Sequence, residues 1–88
     1  MNVLSYNQVT VGTTATKVLD ADTSHKTVVT LVNAGSPQMY LGDSSVTTSN
    51  GFILYAGAES VTLTLPPGSS LYVVAASAGN ILSYFATA

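Results

Sequence analysis

Eighty-eight residues make one domain, and only 7% of them are charged, against roughly 25% in an ordinary globular protein. Two lysines, no arginine and a net charge of -2 cannot neutralise a run of phosphates, so nucleic acid is disfavoured as a partner. With no cysteine, the chain has no disulfide to reinforce a small core and no thiolate to bind metal or attack a substrate.

The polar surface must therefore be built from Ser, Thr, Asn and Gly, a neutral coat with little colloidal repulsion. A chain this short buries a limited fraction of its surface, and small domains without disulfides gain stability from a metal or from association. His25 is the sole histidine and carboxylates are few, which disfavours a structural metal and favours oligomerisation or docking on a larger assembly. The longest apolar run, Leu71 to Ala76, is strand-sized and far below the ~20 residues of a membrane span. Met1 to Ser5 lacks the basic n-region and apolar run of a signal peptide.

Residues 1–7 show no clear period and read as an arm or a lead-in strand, ahead of a single domain over residues 8–88. Gln8 to Val11 alternates, Gly12 interrupts as a bulge or turn, and Thr13 to Leu19 resumes; β-branched residues favour strand in both pieces. Asp20 to His25 is a polar connector. Its two aspartates resemble the start of a calcium loop, but the Gly and the distant Glu of that pattern are missing, so they read as turn formers. Lys26 to Asn33 is a strand with apolar residues on both faces. The turn at 33–37 and the return over Gln38 to Gly42 predict a hairpin. A long polar loop, Asp43 to Gly51, holds Val46 as its one apolar residue. Phe52 to Tyr55 is a brief strand. Glu59 to Leu65 alternates cleanly, with Val61, Leu63 and Leu65 on the core side, and Pro66-Pro67-Gly68 stops it. Ser70 to Ala76 and Ile81 to Ala86 are two more strands, joined by an expected hairpin turn at 77–80; in the last, Leu82 and Tyr84 share one face and Ile81 and Phe85 the other. No window carries a capped helical period. The fold predicted is all-β: a small antiparallel β-sandwich or flattened barrel of seven to eight short strands with little or no helix.

Chemistry is hard to find in this pattern. There is no Gly-x-Ser-x-Gly, no metal-ligand spacing and no carboxylate pair outside turns, and His25 reads as a loop histidine. The chain is expected not to be an enzyme and to use no cofactor or metal. Tyrosine, with a large apolar body and a polar tip, is enriched at interfaces. The candidate contact residues are therefore Tyr6, Tyr40, Tyr55, Tyr72 and Tyr84, with Asp43, Val46 and Phe52 in and beside the polar loop. The same tyrosines could instead flank the core or stack on sugar rings. No Asn-x-Ser/Thr glycosylation site occurs.

Four segments carry a resemblance: Val32-Asn33-Ala34-Gly35, Tyr40-Leu41-Gly42, Val46-Thr47-Thr48-Ser49-Asn50-Gly51-Phe52 and Gly57-Ala58-Glu59-Ser60-Val61. Together they resemble a family of small structural proteins of tailed bacteriophages, the head decoration (cement) proteins and the capsid-proximal modules of head fibres. The resemblance spans roughly residues 8 to 86; Tyr55 and an inserted Ala58 depart from the compact Ala-Gly-Glu-Ser form. It implies a virion protein on the outer surface of the capsid, made in the host cytoplasm. Its partners would be the major capsid protein and itself, as a homotrimer, with no membrane partner. Such a protein stabilises the assembled lattice by binding that state selectively. The alternative is a carbohydrate-binding or fibre-associated β-module of a virion.

Overall fold

The computed structural model describes residues 4–34, 38–55 and 60–87. Eight strands follow in order: β1 (Leu4–Val11), β2 (Thr16–Asp20), β3 (Thr27–Asn33), β4 (Met39–Gly42), β5 (Phe52–Leu54), β6 (Ser60–Leu65), β7 (Ser70–Ala75) and β8 (Asn80–Thr87). They form two four-stranded antiparallel sheets, a front sheet ordered β1-β8-β3-β6 and a back sheet ordered β2-β7-β4-β5. The all-β sandwich expected from the alternation is the fold observed, with no helix among the described residues.

The pairing has a simple logic. β1 pairs with β8, β2 with β7, β3 with β6 and β4 with β5, like the rungs of one long hairpin whose turn lies between β4 and β5. Rolling that hairpin brings β3 beside β8 and β4 beside β7, which completes the two sheets. This is the jelly-roll order of eight strands.

Two expected hairpins are corrected by it. β3 and β4 do not pair; they lie in opposite sheets, with residues 35–37 of their connection outside the described residues. β7 and β8 likewise lie in opposite sheets, and residues 76–79 cross between them. Gly, Pro and Ser reverse the chain equally well within a sheet or from one sheet to the other, so turn chemistry alone does not choose. β1 runs unbroken across residue 8, so residues 4–7 are strand.

Alternation decides the core. Val11, Val29, Leu31, Met39, Leu54, Val73 and Leu82 are fully buried between the sheets, with Val61, Leu63 and Leu65 of β6 packed at its margin. β2 keeps Val18 in this core through a bulge between Lys17 and Leu19. The crossing from β1 to β2 is tied down where the Ala75 N–H donates to the Gly12 carbonyl at 2.9 Å.

One polar side chain is fully buried among them. Asn33, at the end of β3, donates from Nδ2 to the carbonyl of Leu54 on β5 at 3.1 Å, linking the front sheet to the back. Removing that donor leaves a buried carbonyl without this partner, which costs about 1–3 kcal/mol. Asn33→Ala is therefore expected to lower the melting temperature by roughly 4–8 °C for each kcal/mol lost in a domain of this size. Unchanged thermal unfolding of the variant would show that the link contributes nothing.

Candidate interaction surface

The outer face of the front sheet is assembled from strands remote in sequence. Every outward position described on β1, β8, β3 and β6 is Tyr, Phe, Ile, Val, Gln, Ser or Thr, and none is charged. One row crosses all four strands: Tyr6 opposite Phe85, Phe85 opposite Thr30, Thr30 opposite Thr62. Its two aromatic rings stand in solvent, Tyr6 at 71% and Phe85 at 51% exposure, with Val28 at 41% on the neighbouring row. The Thr30 and Thr62 hydroxyls hydrogen-bond at 3.2 Å and fix the other half of the row.

A second exposed apolar group sits at the β5 edge of the back sheet: Phe52, Ile53 and, just beyond the strand, Tyr55. Tyr40 and Tyr72 are half-buried on the outer side of the same sheet, Tyr40 between Val74 and Ile53, Tyr72 between Lys17 and Gly42. The Tyr40 hydroxyl donates to Gln38 Oε1 at 3.2 Å. Asp43 is exposed, and its Oδ1 accepts the Ser45 N–H at 2.9 Å, a turn-forming bond.

Two expected contact residues have other duties. Tyr84 points inward, opposite Asn7 and Leu31, and packs against the core. Alternation requires this, because Leu82 two residues earlier is fully buried. Val46 is only 6% exposed. The 43–51 loop folds on itself, with Val46 N–H donating to Asp43 O at 3.0 Å, Thr47 N–H to Asn50 Oδ1 at 2.8 Å and Gly51 N–H to Thr47 O at 3.1 Å. A Cβ at Gly42 would lie 2.9 Å from Val46 Cβ; one at Gly51 would lie 2.6 Å from Tyr40 Cβ and 2.8 Å from Val46 Cγ2. Val46 is thus a plug that closes the loop over the back sheet, and the two glycines make room for it. Phe85, Val28 and Ile53 belong to the exposed apolar surface without having been singled out. The signal for Phe85 was present, since alternation places it opposite Leu82.

At one end of the sandwich a cleft of about 410 Å³ opens among Ser5, Asp20, Asp22, Thr27 and Tyr84. Its carboxylates are engaged. Asp20 accepts from the Ser70 hydroxyl and pairs with Lys17 Nζ at 3.3 Å. Asp22 Oδ1 accepts the Ser24 N–H at 2.7 Å and lies 3.6 Å from His25 Nδ1. The Ser70 hydroxyl, helped by Lys17, holds Asp20 below the usual carboxylate range; the Ser24 N–H, helped by the nearby His25, does the same for Asp22. No group of three His, Cys, Asp or Glu suited to a metal ion occurs among the described residues.

The sequence matches no known protein family and no curated protein. Among solved structures, the fold is similar to a chain from the work described as "Bacillus endospore appendages form a novel family of disulfide-linked pili". The TM-score is 0.67 over 99% of this chain and 82% of that chain, at 12% sequence identity. At that identity the likeness is one of fold.

Two expectations follow from this geometry. Adding a methyl group at Gly51 overpacks the plug, so Gly51→Ala is expected to destabilise by about 1–3 kcal/mol. Combined with Val46→Ala the loss should be smaller than the sum of the two single losses, by about 0.5 kcal/mol or more in a thermal double-mutant cycle; strict additivity would separate the two residues. For pH, both aspartates have folded pKa values below the unfolded value, so their stabilisation is present above that value and is lost as pH falls through the folded values. Melting temperature is expected to drop below about pH 4, and Asp20→Asn with Asp22→Asn to flatten that acid limb. A limb of unchanged steepness would assign it to other groups.

Proposed function

We propose that this chain is a structural subunit that works by contact on the surface of an assembled particle, and specifically that it is a decoration protein of a tailed-phage head. The observation that carries the reading is the outer face of the front sheet, uncharged throughout and bearing Tyr6 against Phe85. A neutral face is desolvated without the cost of burying charge. Aromatic side chains supply most of the energy at such contacts, and exposed apolar patches mark interaction sites. A subunit that joins neighbouring capsid proteins stabilises only the lattice to which it binds. Several weak contacts held in one oligomer, a trimer in the reading favoured by the sequence resemblance, multiply through effective concentration.

A second reading, a filament subunit, is favoured by the fold likeness to the pilus protein. The 88 residues contain no cysteine, so copies of this chain would be joined without disulfides.

The test is to add purified protein to phage heads that lack it, measure bound copies and heat stability, and image the particles. Wild type is expected to bind at a fixed ratio to the lattice and to raise the temperature at which heads rupture. Tyr6→Ser with Phe85→Ser is expected to bind at least about tenfold more weakly, the loss of one hot-spot contact, while keeping its own melting temperature. Binding without any gain in head stability would sink the cementing role. Filaments in images of the protein alone would favour the second reading. Glycan binding lost with Tyr40→Ala or Tyr72→Ala would favour the carbohydrate module.

A further inference from the structure

A sheet that ends in an exposed strand offers unpaired N–H and C=O groups to any other chain, so edge strands are ordinarily kept short, bulged or charged. The back sheet follows that rule at both edges. β5 has three residues, and β2 is broken by a bulge and carries Lys17 and Asp20. The front sheet follows it at neither. β1 has eight residues and β6 six, with no charge and no proline in either. β1 pairs with β8 along its whole length without a bulge, β6 pairs with β3 over six positions, and among the described residues no strand lies beyond either one. The core-facing residues of β6, Val61, Leu63 and Leu65, remain partly exposed, as does Val9 on β1. On the β1 edge the Gln8 N–H donates to the adjacent Asn7 Oδ1 at 2.8 Å, a local bond that a partner carbonyl could replace.

We infer that the front sheet continues from copy to copy, β6 of one chain adding to β1 of the next. The directions match. All neighbours in the front sheet are antiparallel, so the three reversals across it leave β1 and β6 running in opposite senses. A second copy displaced across the sheet presents its β6 antiparallel to β1, and the ladder extends without inversion. The surfaces match as well. Ser60, Thr62 and Thr64 on the outward side of β6 would stand beside Tyr6, Gln8 and Thr10 on that of β1, with no like charges opposed.

A six-residue ladder gives about six intermolecular bonds, which at one per 100–200 Å² corresponds to an interface of roughly 600–1,200 Å². That falls short of the roughly 1,600 Å² of a standard stable pair. One joint is therefore weak, and copies hold best when each uses both edges. Such a heterologous joint closes into a ring if the rotation closes and otherwise runs on as a filament. The inference rests on reading the chain as an assembling structural subunit, and it names a second copy as the partner.

Cysteine cross-linking of the intact chain tests it, because the native sequence has none. Within one copy, β1 and β6 are three strand spacings apart, about 14 Å, beyond the ~7 Å Cα limit for a disulfide. A bond between them must join two copies. Gln8→Cys protein is mixed under oxidation with Ser60→Cys, Thr62→Cys or Thr64→Cys protein, which spans the registers available, and a thermal melt confirms that each variant is folded. At least one mixture is expected to give disulfide-linked heterodimer at about ten times the self-linked yield of either variant, since closure tolerates little error in Cα separation. The matching double variant should give linked trimers or a ladder. The inference is overturned if Gln8→Cys links to itself as readily, if no mixture links although the protein is oligomeric, or if the protein sediments as a monomer. A monomer that still docks on phage heads would remove the edge joint and leave the proposed function standing. Edge-linked copies that ignore heads would do the reverse.

Discussion

All eight strands must agree on which side faces inward, and this requirement organises the molecule. A one-residue slip in any strand would exchange its buried and exposed sets. The rolled pairing makes the requirement global, because β1 is locked to β8 from Leu4 opposite Thr87 to Val11 opposite Asn80. Val11, Val29, Leu31, Leu82 and Ala86 are buried on the front sheet, while Tyr6, Val28, Thr30 and Phe85 are thereby turned out. The proposed contact face is thus the complement of the core. With the apolar packing already supplied inside, the outward row is free to be chosen for a partner.

Strand positions were legible because a period of two survives in short windows. β6 shows it plainly: Val61, Leu63 and Leu65 face the core, and Ser60, Thr62 and Thr64 face out, as the alternation predicts. Strand partners were not legible. Among the described residues, β4 and β5 are the one pair adjacent in sequence that also pairs in a sheet, so most ladders join segments about which local chemistry is silent. The expected β3–β4 hairpin failed for that reason. Two of the expected contact residues, Tyr84 and Val46, are packed inward for a different reason. Tyr84 was taken for its residue type although the alternation already set it beside Leu82, and Phe85 on the other face was passed over. Val46 read as exposed because it stands alone in a polar loop, and its burial depends on a fold-back that only the spacing of Gly42 and Gly51 hinted at.

The segments that carry the resemblance acquire definite physical roles. Asn33 of Val32-Asn33-Ala34-Gly35 is the buried link to the back sheet. Gly42 of Tyr40-Leu41-Gly42 and Gly51 of the next segment leave room for Val46, which closes the 43–51 loop. These positions hold the sandwich together and none of them reaches solvent in a way that would recognise a partner. Residues of this kind mark a module type. What a module of that type binds must be sought elsewhere, and the proposed place is the row through Tyr6 and Phe85, on β1 and β8, which contain none of the four segments.

Charge poverty connects that face to the edges. Lys and Glu on outer positions would protect a sheet from unwanted pairing and would also raise the desolvation cost of any intended contact. Four of the charged residues lie away from the front sheet, Lys17 and Asp20 on a back-sheet edge, Asp22 and Asp43 in connections whose backbone N–H groups they bind, while Lys26 immediately precedes β3. The front sheet keeps a neutral face and two neutral edges together. A face alone would serve a monomer that docks, and edges alone would serve a chain that polymerises. Having both on one sheet means that each added copy would enlarge a single uncharged surface. The aromatic rows would then repeat at the spacing of the copies, which suits a partner whose own surface is periodic.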